Sequence, residues 1–371
     1  MRLYNYKLLY LALIPFLISY APARSETITY NGGPQHTGKY NSSPLTDQGK
    51  LKWKFAVEKG ISSPPLVNKG VVYFADWNGT LYAVELSTGS EIWKIYVGPK
   101  GINGPPTIID TIAFWGCGEG SLYAIHIDSG RIIWKMDADG VKAGRDAAIC
   151  FPPLIYEGRA FCTSHDSTMY AINIQNGEVS GRFHTENGMC ASPSLWNTTV
   201  FITDWSGNVY ALDPVSLSEK WRFKAKKKIY HSPAISDGIG FVSSHDKHVY
   251  AIDLTNGKEL WNFESDGPIS GDPAISHGIV FFNTLFSHLY ALDSKTGKVI
   301  WDLASEGKVY SKPAIAGDVL YFGSGDKNLY ALEVKTGKIL WKYQTEDMVC
   351  YPSIYNGNVL FGSGTHLYVL E

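Results

Sequence analysis

Residues Leu289 to Trp301 read Leu-Tyr-Ala-Leu-Asp-Ser-Lys-Thr-Gly-Lys-Val-Ile-Trp. The apolar residues at either end have the length and residue types of strands, and the polar segment between them has the residues of a tight turn. Asp293 can accept hydrogen bonds from backbone N–H groups of that turn, and Gly297 adopts a positive φ without steric cost. The stretch therefore predicts a β-hairpin.

This hairpin pattern recurs along almost the whole chain. A Leu-Tyr-Ala motif, or a close variant, occurs eight times at intervals of about forty residues, and in six copies a tryptophan follows the tyrosine by eleven residues. Repeats of this length that contain only strand-like segments are typical of propeller blades with four antiparallel strands. The eight tyrosines are Tyr82, Tyr123, Tyr170, Tyr210, Tyr250, Tyr290, Tyr330 and Tyr368.

Two copies depart from the pattern. Gly181 stands in the third copy where the tryptophan belongs. In the fourth, Leu217 replaces the turn glycine and Pro214 lies inside the turn. We therefore expect the hairpin over residues 211–221 to be locally irregular.

The two ends of the repeat region complement each other. Leu51–Phe55 resembles an outer fourth strand with no blade before it, and Leu367–Glu371 resembles a third strand with no fourth strand after it. Pairing them completes a blade and removes an exposed sheet edge. The predicted fold is therefore all-β, an eight-bladed β-propeller over residues 50–371, closed by its N- and C-terminal strands and preceded by an N-terminal arm at 26–49.

Residues 1–25 have the organisation of a secretory signal peptide. Arg2 and Lys7 precede the apolar run Leu8–Ser19, and small residues follow it up to Ser25. The run is too short to span a bilayer comfortably, so no transmembrane segment is predicted. No cysteine lies near the cleavage point, so we expect no lipid anchor there. The mature chain is expected in the periplasm or secreted.

Composition and net charge argue against a disordered protein and against a nucleic-acid-binding protein. The chain has 44% hydrophobic and 18% charged residues, which is incompatible with a disordered protein. Lysine and arginine number 33 against 35 acidic residues, for a net charge of −2. Because nucleic-acid binding generally needs a basic surface, no nucleic-acid partner is predicted.

The pattern Ala-x-Asp-x-x-Thr-Gly-Lys-x-x-Trp in Ala291–Trp301 resembles the tryptophan-docking motif of the quinoprotein (PQQ-repeat) propellers. The segment Gly33–Gly38 also resembles the lead-in common before such propellers, and the size and repeat content are similar to BamB-like barrel-assembly propellers. The resemblance implies that each indole lies between neighbouring blades. The tryptophans in docking positions are Trp53, Trp93, Trp134, Trp221, Trp261, Trp301 and Trp341.

The loops that lead into the innermost strands should share one face of the propeller, around the central channel. The loop before Pro153 is longer than its counterparts, and an insertion on one face points to a binding surface. Charged groups that converge at the channel could bind a small anion, or could hold ordered water instead. The candidate binding residues are Asn103, Arg145, Asp146, Tyr230, His231, Asp272, Tyr310, Lys312 and Tyr351.

Five cysteines cannot all form internal pairs. Cys150 and Cys190 occupy equivalent positions in consecutive blades, so a disulfide between them is conceivable in an oxidising compartment if their Cα atoms lie within about 7 Å. No cysteine and histidine spacing matches a zinc module, so no metal site is predicted.

These features favour an exported, monomeric, non-catalytic propeller that serves as a protein-interaction scaffold, with no cofactor and no catalytic residues expected. The resemblance implies an alternative, a quinoprotein dehydrogenase or sensor that binds pyrroloquinoline quinone (PQQ) with Ca²⁺ at the channel face. A third hypothesis is a carbohydrate-binding propeller. It would bind polysaccharide through Trp77 and Trp205, which occur in matching Asp-Trp-x-Gly loops.

Overall fold

The computed structural model of the chain describes residues 27–30, 32–144, 146–269, 271–309 and 311–371. Eight sheets, each with a core of four antiparallel strands, form the blades of a β-propeller, and the prediction of an eight-bladed all-β fold is confirmed. A single helical turn, α1 (Asp139–Lys142), occurs among the described residues. The predicted signal peptide at 1–25 lies outside the described residues and stays a prediction.

Within each blade, the strands run from the central channel outward in chain order, and burial follows this order. The middle strands are almost fully buried, because neighbouring blades cover both of their faces, whereas the outermost strands alternate exposed and half-buried residues. Two short strands of the arm, β1 (Thr27–Ile28) and β2 (Lys39–Tyr40), precede the first outer strand, β3 (Leu51–Ala56).

The first four blades follow the arm. Blade 1 contains β4 (Leu66–Asn68), β5 (Val71–Ala75), β6 (Thr80–Glu85) and β7 (Glu91–Tyr96). Blade 2 contains β8 (Thr107–Ile109), β9 (Ile112–Gly116), β10 (Ser121–His126) and β11 (Ile132–Asp137). Blade 3 contains β12 (Leu154–Tyr156), β13 (Arg159–Thr163), β14 (Thr168–Asn173) and β15 (Val179–His184). Blade 4 contains β16 (Ser194–Trp196), β17 (Thr199–Thr203), β18 (Asn208–Leu212) and β19 (Glu219–Lys224).

The remaining blades complete the ring. Blade 5 contains β20 (Ala234–Ser236), β21 (Ile239–Ser243), β22 (His248–Asp253) and β23 (Glu259–Glu264). Blade 6 contains β24 (Ala274–Ser276), β25 (Ile279–Asn283), β26 (His288–Asp293) and β27 (Val299–Ala304). Blade 7 contains β28 (Ala314–Ala316), β29 (Val319–Gly323), β30 (Asn328–Glu333) and β31 (Ile339–Gln344). Blade 8 contains β32 (Val349–Tyr355), β33 (Asn358–Ser363) and β34 (His366–Leu370).

Blade 8 takes its outer strand from the other end of the chain. Strand β3 pairs antiparallel with β34, with Leu51 opposite Leu370 and Ala56 opposite His366. This pairing is the ring closure that the sequence predicted. It covers β34, which would otherwise be a free sheet edge.

Six of the seven docking tryptophans connect one blade to the next, whereas the indole of Trp341 donates a hydrogen bond to Leu45 O of the arm at 3.2 Å. The indole of Trp301 is buried, its Nε1 donates a hydrogen bond to Val334 O at 3.0 Å, and its ring covers Gly337. A Cβ atom on Gly337 would lie 2.7 Å from that ring, and its φ is +70°, so glycine meets both demands of this turn. Trp53, Trp93, Trp134, Trp221 and Trp261 make the same contacts with their following blades.

Blades 3 and 4 reverse this arrangement. Where the tryptophan is replaced by Gly181, the following turn glycine is replaced by Leu217, and the Leu217 side chain fills the space beside Gly181. The expected irregularity of the fourth hairpin is wrong. Leu217 adopts the positive φ of the missing glycine, at +59°, and β18 and β19 keep the same bulge as the other hairpins. The leucine supplies apolar packing that offsets its backbone strain.

This swap predicts a compensating pair of substitutions. Gly181→Trp alone should destabilise the protein by about 1–3 kcal/mol, because the indole would overlap Leu217. Adding Leu217→Gly should restore most of that loss by recreating the docking geometry of the other blades. Urea unfolding of the two variants measures the difference. A double variant no more stable than Gly181→Trp would contradict the interpretation that Leu217 fills the space of the missing tryptophan.

Candidate functional site

The N-terminal arm lies across the central channel. Strand β1 pairs with β8 in blade 2, and β2 pairs in parallel with β28 in blade 7. Between them, arm carbonyls accept hydrogen bonds from the innermost strands of four successive blades. The pairs are Leu195 N to Pro34 O at 2.9 Å, Ile235 N to Gln35 O at 2.8 Å, Ile275 N to Thr37 O at 2.7 Å and Ile315 N to Gly38 O at 2.8 Å.

Polar side chains fix the middle of the arm. The buried Lys312 Nζ donates a hydrogen bond to His36 O at 2.6 Å and lies 3.9 Å from Asp272 Oδ2. His36 is also buried, and its Nε2 lies 3.1 Å from Pro193 O. Asp272 Oδ1 lies 3.5 Å from His231 Nδ1 and accepts a hydrogen bond from the Ser232 N–H. The charged groups at the centre of the channel thus pair with one another and with the arm.

Burial and pairing set the charges of this cluster. Burial, together with the charge of Lys312, lowers the pKa of His36 to about 4, so the imidazole is neutral at pH 7. Burial also lowers the pKa of Lys312 to about 8, although Asp272 opposes this. Burial opposes ionisation of Asp272, but the hydrogen bond with His231 and the charge of Lys312 hold its pKa well below the usual range. At neutral pH the centre of the channel is therefore a lysine–aspartate ion pair.

A cavity of about 290 Å³ opens beside this cluster at the channel mouth. It brings together five of the predicted binding residues and one arm residue that the sequence analysis did not select, Tyr30. The Asn103 Oδ1 is buried and meets no hydrogen-bond partner within the described part of the chain. Tyr30 and these five predicted residues line the cavity together: Asn103, His231, Asp272, Lys312 and Tyr351.

The other predicted residues lie elsewhere. Tyr230 packs against His245, with ring centroids 4.6 Å apart, and Asp146 contacts His165; neither residue lines the cavity. Arg145 and Tyr310 lie outside the described residues. The inserted loop forms α1, whose Asp139 pairs with Arg182 at 2.7 Å, and no residue of α1 lines the cavity. Binding roles for all nine residues stay predictions.

The two cysteines of the predicted disulfide lie beside the cavity wall. Both thiols are free, and their Sγ atoms and one ring nitrogen of His165 all lie within 4.8 Å of one another. A hydrogen bond from Cys190, followed by one from His165, lowers the pKa of Cys150 to about 5, against the effect of burial. The same Cys150–Cys190 hydrogen bond and burial raise the pKa of Cys190. The disulfide itself stays a prediction.

The two matching tryptophan loops differ in exposure. Trp205 packs edge-on against His165 of the preceding blade, with ring centroids 4.8 Å apart. Trp77 is 48% exposed and lines a groove of about 350 Å³ between blades 8 and 1, together with Met348 and Tyr351. Trp77 and Tyr351 also line the central cavity, so groove and cavity are adjacent. We call Trp77, Met348 and Tyr351 the apolar rim.

The donors in the cavity do not match a calcium-bound quinone. Ca²⁺ takes six to eight oxygen ligands, usually including several carboxylates. Among the described lining residues the cavity offers a single carboxylate, that of Asp272, and Lys312 and His231 already lie beside it. The arm also occupies the channel beneath the cavity.

The ring of eight blades and the repeated tryptophan docking define the class of the protein, a PQQ-repeat β-propeller. The family described as "Outer membrane protein assembly factor BamB" matches residues 44–104, 77–197, 185–269 and 245–370, and the chain belongs to this family. A comparison with curated protein sequences gives no match. Among the residues that the structure describes, none forms a helix that is long and apolar enough to cross a membrane.

Solved structures with the same fold include proteins of different function. BamB from Moraxella catarrhalis is 16% identical, with a TM-score of 0.73, over 87% of this chain and 100% of that chain. The quinohemoprotein alcohol dehydrogenase from Comamonas testosteroni is 14% identical, with a TM-score of 0.79, over 92% and 80%. A europium-containing methanol dehydrogenase is 13% identical, with a TM-score of 0.81, over 92% and 97%. At these identities the likeness establishes the fold alone.

Proposed function

We propose that the chain is an exported, non-catalytic propeller that binds a protein partner through its channel face and serves as a scaffold in outer-membrane protein assembly. The observation that carries this proposal is the pairing of Lys312 and Asp272 with each other and of Lys312 with the arm. The Lys312 ammonium would otherwise be the natural ligand of a small anionic substrate. Membership of the BamB family supports the same function.

The apolar rim is the proposed contact surface. Aromatic side chains and methionine are enriched at protein interfaces, and tryptophan is prominent among the residues that dominate binding energy. Trp77 is 48% exposed and Met348 is 38% exposed, on the same face of neighbouring blades, beside a groove deep enough to accept a partner side chain. In the matching loop of blade 4, Trp205 packs against His165 and is only partly exposed. This difference favours a protein contact at one place over a sugar-binding surface repeated around the ring.

Site-specific crosslinking in the native host tests this proposal. A photo-crosslinking residue at position 348 should form an adduct with a protein of the outer-membrane assembly machinery. The same residue at position 96 should not, because Tyr96, although more exposed than Met348, lies on the outermost strand of blade 1. Trp77→Ala should reduce the adduct at position 348 by at least about tenfold.

Two results would count against the proposal. One is an equal adduct at positions 348 and 96, which would indicate random collision. The other is dye reduction by the purified protein after incubation with PQQ and Ca²⁺, which would favour the quinoprotein alternative. Retention on polysaccharide with no protein adduct would favour the carbohydrate-binding hypothesis.

A further inference from the structure

Cys150, His165 and Cys190 form a cluster between blades 3 and 4 that the scaffold function does not use. Cys150 precedes the innermost strand of blade 3, His165 lies in the loop between β13 and β14, and Cys190 precedes the innermost strand of blade 4. Their potential ligand atoms all lie within 4.8 Å of one another. The propeller fold, rather than proximity in sequence, brings them together.

The spacing of these atoms suits a tetrahedral metal ion. Zinc binds cysteine sulfur at about 2.3 Å and histidine nitrogen at about 2.0–2.1 Å, so two such ligands at the tetrahedral angle lie about 3.6 Å apart. The observed distance from Cys150 Sγ to His165 Nε2 is 3.7 Å. Two sulfur ligands and one imidazole are also a donor set that zinc prefers among common metals.

The groups around His165 have the arrangement found behind metal-binding histidines. Its second ring nitrogen, Nδ1, lies 3.1 Å from Asp146 Oδ2, and a carboxylate in this position fixes the tautomer and the orientation of the ring. The indole of Trp205 packs edge-on against the imidazole and restricts it from the other side. Nε2 is thereby directed towards the two sulfurs.

Three ligands leave a fourth coordination position. No other histidine, cysteine or acidic residue in the described ranges joins this group. Cys190 lines the central cavity, and so does Asn103, whose buried Oδ1 meets no protein partner there. Zinc sites with three protein ligands keep the fourth position for water or another small ligand.

We propose that Cys150, His165 and Cys190 bind one Zn²⁺ ion, with Asp146 as the positioning residue and the fourth coordination position facing the central cavity. Both cysteines bind the metal as thiolates, and any proton that a thiol still carries is released to solvent. The zinc-bound form and the Cys150–Cys190 disulfide exclude each other, because both use the same two sulfurs.

Metal titration of the reduced full-length protein tests the proposal. After reduction and removal of the reductant, we expect one Zn²⁺ per chain by competition with a chromogenic chelator. Co²⁺ in place of Zn²⁺ should give the thiolate charge-transfer and visible bands of a tetrahedral site. Cys150→Ser, Cys190→Ser and His165→Gln should each abolish these bands, and Asp146→Asn should weaken metal binding by about 10–100-fold.

Cys350→Ala is the matched control. Cys350 lies at the start of strand β32 in blade 8, and its Sγ contacts only the carbonyl of Gly362 among the hydrogen bonds of the described chain, so this variant should bind zinc unchanged. Circular dichroism establishes that each variant is folded. A folded, reduced protein that binds no metal would overturn the proposal. Equal zinc binding by the control and by the three single-ligand variants would overturn it as well. So would protein isolated without reductant that carries the disulfide and no zinc.

Discussion

Trp301→Ala should lower the free energy of unfolding by about 3–5 kcal/mol, the range for removing a large buried aromatic side chain. The indole is buried between blades 6 and 7, packs on Phe281 with ring centroids 5.7 Å apart, and donates to Val334 O. Its removal opens a cavity and leaves that carbonyl without the indole donor. Equilibrium urea unfolding, followed by circular dichroism, measures the loss.

Trp77→Ala is the control for this experiment. Trp77 is a tryptophan of the same chain but is 48% exposed and docks no blade, so its removal should change stability by no more than about 0.5 kcal/mol. Similar effects of the two substitutions would contradict the assignment of Trp301 to a docking position. A change only in the slope of the urea unfolding transition, with the same midpoint, would indicate a change in the cooperativity of unfolding instead.

Lys312→Met should lower stability by about 3 kcal/mol or more, because it removes one partner of a buried ion pair and leaves the other charge uncompensated. Asp272 would lose Lys312 while it keeps His231 and the Ser232 amide, and His36 O would lose its lysine donor. We expect the arm to loosen as a result. Thermal unfolding and proteolysis of the arm report the two effects separately.

Two further variants make this prediction specific. Lys335→Met removes a lysine that is exposed on the β30–β31 hairpin of the same blade, and should leave stability within about 0.5 kcal/mol of the wild type. Adding Asp272→Asn to Lys312→Met should recover part of the loss, because the carboxylate that has lost its lysine partner is then removed. A double variant less stable than Lys312→Met would contradict the ion-pair explanation.

The sequence was sufficient to predict the fold because the repeat is strict. Six of the eight copies place a tyrosine, a turn and a tryptophan at fixed offsets, and the ends of the repeat region complement each other as strands β34 and β3. The exchange of Gly181 and Leu217 could also have been predicted. The docking glycine follows the preceding tryptophan by 36 residues in most blades, as Gly297 follows Trp261, and Leu217 follows Gly181 by the same interval.

The path of the arm could not be predicted in the same way. Its contacts with four blades use backbone carbonyls, which leave no pattern in residue type. The lead-in segment Gly33–Gly38 marked the place, but nothing in it identified Lys312 as the donor to His36 O. The sequence was sufficient to place Lys312 and Asp272 on the channel face. The contacts of this pair with the arm were visible only in the structure.

The cysteine cluster escaped the sequence analysis for a related reason. Zinc modules are recognised by ligands that are close in sequence, but His165 comes from a loop between the second and third strands of its blade, and Cys190 comes from the next blade. The relation between the three residues becomes visible only when the sequences of the blades are aligned with one another. All three residues occupy loops on the same face of adjacent blades.

Hydrogen exchange of the intact protein tests most directly the central claim, that the arm fills the channel and leaves the exposed face for partner binding. The amides of Leu195, Ile235, Ile275 and Ile315 each donate to the arm. They should therefore exchange as slowly as amides of the buried middle strands. If all four instead exchanged as fast as the exposed hairpin amides, the arm would not fill the channel, and the channel would have room for a cofactor.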